Sequence, residues 1–506
     1  VSDFDVAVIG FGPCGALAAN LLGQAGLTTL AIDKAEEIYP LPRALALDHE
    51  IFRLFDNIGV LDAVRPHVAP FTASQHFGAQ GQLIRRIDMV PPPHPQGYTP
   101  SMVFRQPPVE AALRAAAGRR AGVRVALGTE LVGMAQSDTA VTLRLRGTEA
   151  GTVTARAVIG CDGASSVVRQ MLGIGLEDLV FDEPWIVIDV MVNEAAAARL
   201  PHSSAQYCEP ARPTSYLIGV GLHRRWEIML LPGEDPREMV AEARIWQLLS
   251  RWIGPEDGTL WRAATYRFHA LVAETWHRGR VFLAGDAAHQ QPPFIGQGMC
   301  QGLRDVANLV WRLEHVLRGR AGPGLFDSYG AERGAHVRRL TGRIKAIGQV
   351  ICERDPELAA ARDARVLAEG GGAPLTITRQ EIVPPLECGL IDDSGHKACG
   401  TLFPQPLLAA GGLMDAVCGT GWRLVVDARA PLGPAGAWPR RLAIGPHGVA
   451  EAEGVLARWF DAHACHAALV RPDHYVFGVA DGPEAVAGLV ARLRQRADLR
   501  GDEAFC

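Results

Sequence analysis

The chain has 506 residues, 48% hydrophobic and 21% charged, with a formal net charge of −5 and a mean hydropathy of +0.07. That length implies two or three domains, and the scatter of both charge signs leaves no basic block for nucleic acid or an anionic membrane surface. No apolar run approaches the roughly 20 residues of a spanning helix and no leader precedes the first strand, so a cytoplasmic protein is expected.

Asp5-Val6-Ala7-Val8-Ile9-Gly10 reads as a short buried strand running directly into Gly10-Phe11-Gly12-Pro13-Cys14-Gly15. An Ala/Leu-rich helix is expected from Pro13 to about Ala25, stopped by Gly26. A second β-rich run, Leu27 to Ile32, ends on Asp33, 23 residues beyond Gly10. A GxGxxG alone is weak. Here it has the strand, the helix and the acid that a dinucleotide site requires. Gly10, Gly12 and Gly15 permit the tight turn and close approach of a pyrophosphate to the helix start, and Asp33 is placed for the adenosine ribose. NAD and FAD are not yet separated.

Ala157-Val158-Ile159-Gly160-Cys161-Asp162-Gly163 is an apolar strand ending in Asp-Gly, and Asp162 is expected in a second wall of the cofactor cleft. From about Pro184 to Arg267 come β-like runs: Trp185–Val192, Ser215–Gly221 and Trp226–Leu231. Gly279–Asp286 is another strand, ending in Gly-Asp, and Pro292-Pro293-Phe294-Ile295-Gly296-Gln297-Gly298-Met299 leads into a helix to about Leu317. If FAD is the dinucleotide, its far end needs holding. Asp286 can accept hydrogen bonds from ribityl hydroxyls. Backbone N–H groups at Gly296, Gly298 and Met299, on a helix start, can stabilise the negative pyrimidine edge of a reduced flavin. Helices fill about 325–370, and Gly370-Gly371-Gly372-Ala373-Pro374 reads as a linker. Beyond residue 395 come Trp422–Asp427, a Gly/Pro-rich stretch, Arg471–Gly478 and a terminal helix at about Gly482–Arg496.

The chain has ten cysteines and no CxxC pair, so no metal site or dithiol centre is expected and most thiols should be buried in a reducing compartment. A pyridine nucleotide–disulfide reductase would need a redox pair after the first βαβ unit, and only Cys14 lies in the first 160 residues. A flavin halogenase would carry WxWxIP, which is absent. A non-catalytic FAD-fold carrier would not require the Asp-Gly segment.

Taken together, the GxGxxG, Asp-Gly and Gly-Asp segments resemble the group A flavoprotein monooxygenases, the family of p-hydroxybenzoate and phenol hydroxylases. Arg43-Ala44-Leu45-Ala46-Leu47-Asp48, Gln206–Thr214 and Gly296–Cys300 are most similar to the 3-(3-hydroxyphenyl)propionate hydroxylases. The resemblance implies an α/β fold: a Rossmann-like FAD-binding domain (1–183 and 268–370), a β-sheet substrate domain inserted at 184–267, and a thioredoxin-like C-terminal domain at 395–500. It places Arg43 and Gln106 at the cofactor, and FAD with NADH or NADPH as transient reductant. Cys300 stands where many relatives have Asn. The implied reaction is ortho-hydroxylation of a small phenolic acid by O₂, with a polyketide-tailoring hydroxylase as the alternative, and a homodimer is possible.

For substrate contacts the sequence offers Tyr207, Tyr216, Trp226 and Phe294, with Arg212 for a carboxylate. Asp48 and His49 follow a segment expected at the flavin face and are the candidate base or proton relay. The competing reading makes Asp48 an exposed helix start. His289 is read as structural.

Overall fold

The computed structural model describes residues 2–430 and 438–500. Cys506 and most of the Gly/Pro-rich stretch after Asp427 lie outside the described residues. The first sheet has eight strands and is built on five parallel ones, in the order Val281–Leu283, Gly151–Gly160, Phe4–Ile9, Thr29–Asp33, Val123–Leu127. Its centre is covered on both faces, so Val6 to Ile9 are all apolar and buried instead of alternating. Helix Pro13–Gln24 packs over it against helix Gly298–Leu317. The two motifs expected to bracket a cofactor are therefore neighbours, although nearly three hundred residues part them.

The second sheet has nine strands and lies over the site. Its spine is a pair of long antiparallel strands, Leu176–Val192 and Gly258–Ala273. Next to them come His223–Met229, Thr214–Ile218 and Ser204–Tyr207. The sheet reaches well beyond the 184–267 segment expected for it. Ser74–Phe77 and Leu83–Asp88 extend it, and Leu375–Thr378 closes the far edge, parallel to Leu83–Asp88. The glycines read as a linker thus form a tight return: Gly371 and Gly372 adopt φ of +68° and +90° between helix Pro356–Glu369 and that edge strand.

The C-terminal unit holds a four-stranded mixed sheet in the order Arg440–Ile444, Arg423–Asp427, Ala467–Val470, Val476–Ala480, with helices Val455–His463 and Pro483–Arg496. Its first pair is parallel and the other two are antiparallel. The unit is bolted to the rest through buried charge. Arg53 grips Asp415 with Nε 2.6 Å and Nη2 2.9 Å from the carboxylate. Arg471 donates to Glu332 at 3.0 and 2.8 Å, and Tyr475 donates to Glu50 at 3.0 Å. All nine described cysteines are free thiols. Among the described residues no helix is long and apolar enough to cross a membrane, and no cluster of ligating side chains could hold a metal ion.

Candidate active site

The glycines of the opening turn meet different demands. Gly10 has φ +91°. A Cβ on Gly15 would overlap the Gly10 carbonyl oxygen, so the helix can cross the strand this closely only at glycine. Gly12 differs: it caps the helix in ordinary extended backbone, φ −67° and ψ −170°, and an added Cβ would meet nothing within 4 Å. The space it leaves faces the helix N-terminus, where an anionic pyrophosphate is favoured. Asp33 accepts a hydrogen bond from the Phe11 amide at 2.8 Å, which pins the turn to the end of the second strand.

Asp162 is engaged within its own turn. Its two oxygens accept from Ser166 Oγ at 2.5 Å and the Val168 amide at 3.0 Å, and Ser166 caps helix Val167–Met171. Arg169 then ties this turn to the late Gly-Asp turn, donating to the carbonyls of Ala164 at 2.9 Å and Ala287 at 2.8 Å. Asp286 is exposed, and its carboxylate accepts no hydrogen bond from the described residues. The protein around it nevertheless pushes its carboxyl above the usual range, only partly opposed by His289 and Arg43. Behind it Asp305 accepts from the Gly285 amide at 2.9 Å and Arg333 at 2.8 Å, and pairs with His289 Nε2 at 2.8 Å. His289 is thereby locked as a structural group.

Gly298 opens helix Gly298–Leu317, and a Cβ there would again meet nothing within 4 Å. Gly302, one turn on, would collide with Gly285 Cα at 2.8 Å, so its bareness lets the helix press against the Gly-Asp turn. The sequence reading passed over Gly302, four residues beyond Gly298. Gly296 turns with φ +62° toward Ala46 and Arg379, and Met299 is half-buried. Cys300 is buried, its Sγ 3.6 Å from the Ala46 carbonyl. Gln106 accepts from the Ala44 amide at 2.9 Å and so holds the loop that carries Arg43. Arg43 itself is exposed, with its guanidinium 4.4 Å from the Tyr39 ring centroid.

Beside Gly298 and Met299 lies a cavity of about 150 Å³, walled by Arg43–Ala46, Pro293–Gly296, Phe71 and the inner face of the second sheet. Phe294 lines it, braced edge-on by Phe181 and Trp185. The other expected contacts are corrected by strand alternation, which sends successive side chains to opposite faces. Gln206 and Leu217 face the cavity, so Tyr207 and Tyr216 face away. Tyr207 stacks on Phe77, and Tyr216 packs on Trp226 in a separate core on the far side. Arg212 is also elsewhere, in a bidentate pair with Glu234 at 2.9 and 2.6 Å.

Asp48 and His49 are corrected too. Asp48 does start helix His49–Asn57, but it is buried and lines a neighbouring pocket, not this cavity. Burial alone would raise its pKa, yet Arg304, which also bonds Glu50, pulls it below the usual range. A carboxylate so held is a poor base. His49 is driven down to about 4 by burial and stays neutral.

Sequence reasoning missed the groups that line the cavity instead: Gln206, Arg225, Glu227 and Arg379. Arg225 makes a bidentate pair with the buried Asp189 at 2.7 and 3.1 Å and donates to the Arg43 carbonyl at 2.8 Å, fixing the Arg43 loop to the sheet. Glu227 is buried, and its nearest cation, Arg225, is 4.0 Å away. Burial outweighs that cation and raises its carboxyl to about 7. Arg379 donates to the Ile295 carbonyl and lies over the Phe71 ring, 4.7 Å from its centroid. Its Nε is buried without a partner. The signal in the sequence was Arg225 and Glu227 at alternate positions of one strand, and Asp189 within the apolar run Trp185–Val192 of another.

A family model described as an FAD binding domain matches residues 3–343. The chain belongs to this family of FAD-dependent aromatic hydroxylases. Over 97% of its length it is 34% identical to a probable NADH-specific resorcinol 4-hydroxylase of Rhodococcus jostii (strain RHA1), covering 94% of that relative. It is 33% identical to a 3-(3-hydroxy-phenyl)propionate/3-hydroxycinnamic acid hydroxylase of Mycolicibacterium gilvum (strain PYR-GCK), over 97% of this chain and 92% of that one. A second model, the HcaD C-terminal domain, matches residues 434–496. Among solved structures, aklavinone-11 hydroxylase in complex with FAD and aklavinone shares the fold with TM-score 0.79 at 23% identity, covering 98% of this chain and 99% of that one. As in this family, the enzyme is a flavoprotein monooxygenase that uses FAD. The open faces at Gly12 and Gly298 and the free carboxylate of Asp286 fit that cofactor.

Proposed function

We propose that this hydroxylase acts on a small phenolic acid, inserting oxygen ortho to the existing hydroxyl to give a catechol at the expense of NAD(P)H. The observation that carries the substrate class is Arg379: a buried guanidinium in the cavity wall that forms no ion pair with a carboxylate among the described residues. A buried cation left unpaired is costly, and a ligand carboxylate supplies the missing charge-assisted hydrogen bonds. The name of the Mycolicibacterium relative points the same way.

In this reading the helix start at Gly12 holds the pyrophosphate, Asp33 the ribose, Asp286 the ribityl chain, and the Gly296–Met299 amides the pyrimidine edge. Gln106 positions Arg43 beside them, and Asp162 shapes the opposite wall. Bound FAD would accept a hydride from NAD(P)H and activate O₂ for transfer to the ring. Phe294, Phe71 and Leu217 clamp the ring and exclude water. The test is oxidation of NADH and NADPH with 3-(3-hydroxyphenyl)propionate and with resorcinol, each with product identification. One catechol per reduced nicotinamide from the acid is expected, and efficient turnover of resorcinol alone would refute the acid.

A further inference from the structure

Hydroxylation of a phenol is assisted by removing its proton, which leaves the oxygen's electron pair free to enrich the ring, yet neither Asp48 nor His49 reaches the cavity. The other ionisable groups on the cavity wall, Arg43, Arg225 and Arg379, are guanidiniums and none can serve as a base. Arg225 is spent on Asp189 and the Pro42–Arg43 carbonyls. Off the cavity wall, Arg262 shares Asp189 and the Pro42 carbonyl, and His223 pairs with the same aspartate at 2.7 Å. Glu227 is the exception. It sits mid-strand in His223–Met229, in lateral register with Ser215, which is in register with Gln206. Ser215 donates to Gln206 at 2.5 Å, so that pair is satisfied within itself. The Glu227 carboxylate accepts no hydrogen bond from the described residues and borders the cavity.

Resting on the phenol reading above, we infer that Glu227 is the catalytic base that receives the proton of the substrate's hydroxyl. The phenol O–H bond breaks, a carboxyl O–H forms on Glu227, and the electron pair stays on the phenolic oxygen, raising electron density ortho to it. Oxygen and reducing equivalents come from O₂ and NAD(P)H, as in the established reaction. Glu227 must be ionised to act, and the charges facing it set when that happens. Burial raises its carboxyl to about 7, Arg225 and Arg262 oppose that, and Asp189 adds to it. A base poised there balances availability at neutral pH against proton affinity.

The test compares wild type with Glu227→Gln as FAD-loaded enzymes, on whichever phenol the wild type hydroxylates. Hydroxylation by wild type should rise with pH through a limb near 7. In Glu227→Gln the rate should fall roughly 10²-fold or more and the limb should vanish, while ligand affinity, read from the perturbed flavin spectrum, changes little. An unaltered rate and limb in Glu227→Gln would overturn the assignment. If that variant does not hold FAD, ring-fluorinated substrates with wild type decide: a limb fixed near 7 supports Glu227, and a limb that follows each phenol's own pKa overturns it. Failure of the phenolic-acid reading would show separately, as wild-type preference for an uncharged phenol.

Discussion

Gly12 and Gly15 are three residues apart in one turn, yet alanine at each should fail differently. At Gly12 the backbone is one any residue adopts and the new methyl meets no protein atom within 4 Å. The apoprotein should therefore keep its stability, or gain about 0.4–1 kcal/mol from a less flexible unfolded chain. On the proposed placement of FAD, the methyl instead occupies the approach of the pyrophosphate. Overpacking of about 1–3 kcal/mol weakens FAD binding roughly 5- to 150-fold, and Gly12→Val should abolish it. At Gly15 the methyl overlaps the Gly10 carbonyl, which is backbone and cannot swing aside. Gly15→Ala should cost the apoprotein itself about 1–3 kcal/mol or more. The assay is thermal and urea unfolding of flavin-stripped protein, paired with FAD titration by quenching of flavin fluorescence. Wild-type FAD affinity in Gly12→Ala would refute the reasoning, as would apoprotein destabilisation equal to that of Gly15→Ala.

Asp286→Ala should remain folded but purify with much less FAD; full occupancy at low added flavin would end the ribityl assignment. Arg379→Met should raise KM for the phenolic acid about 30-fold or more, the low end of losing one partner of a buried charged pair, and leave an uncharged phenol nearly unaffected. Glu332 is held by Arg312 at 2.6 Å and by Arg471, which together outweigh burial and lower its carboxyl from 4.5 to about 2. That difference is worth about 3 kcal/mol. Because the folded value is depressed, the stabilisation is present above about 4.5 and lost as pH falls toward 2. Glu332→Gln should cost about 3–5 kcal/mol at neutral pH and flatten that acid limb in urea unfolding curves.

What was legible in the sequence follows from how local each constraint is. Gly10 to Gly15 shape one turn and Asp33 ends a strand, as Asp286 follows one, so neighbouring letters mark these positions. The cavity is built across the sheet instead: Gln206, Glu227 and Leu217 come from three strands, Phe71 from a loop, and Arg379 from beyond the supposed linker. Tyr207 and Tyr216 were on the right strands and the wrong face. A period of two makes any one-residue uncertainty in phase fatal to such a choice. Asp48 escaped for another reason, since its neutralising partner Arg304 lies more than 250 residues away in sequence.

The buried ion pairs under the C-terminal unit also bear on how this chain can be recombined. Tyr475 reaches Glu50, Glu50 pairs with Arg304, and Arg304 rides on the helix that starts at Gly298. Truncation ahead of Asp415 would strip Arg53 of its carboxylate and take Arg471 from Glu332, leaving desolvated charges where a clean domain edge was intended. Grafting the terminus of a relative succeeds only if the graft brings its own counterparts of Asp415, Arg471 and Tyr475. The crossover for a working chimera therefore belongs outside this ring of charges, and the last hundred residues are to be inherited together with the helices they clasp.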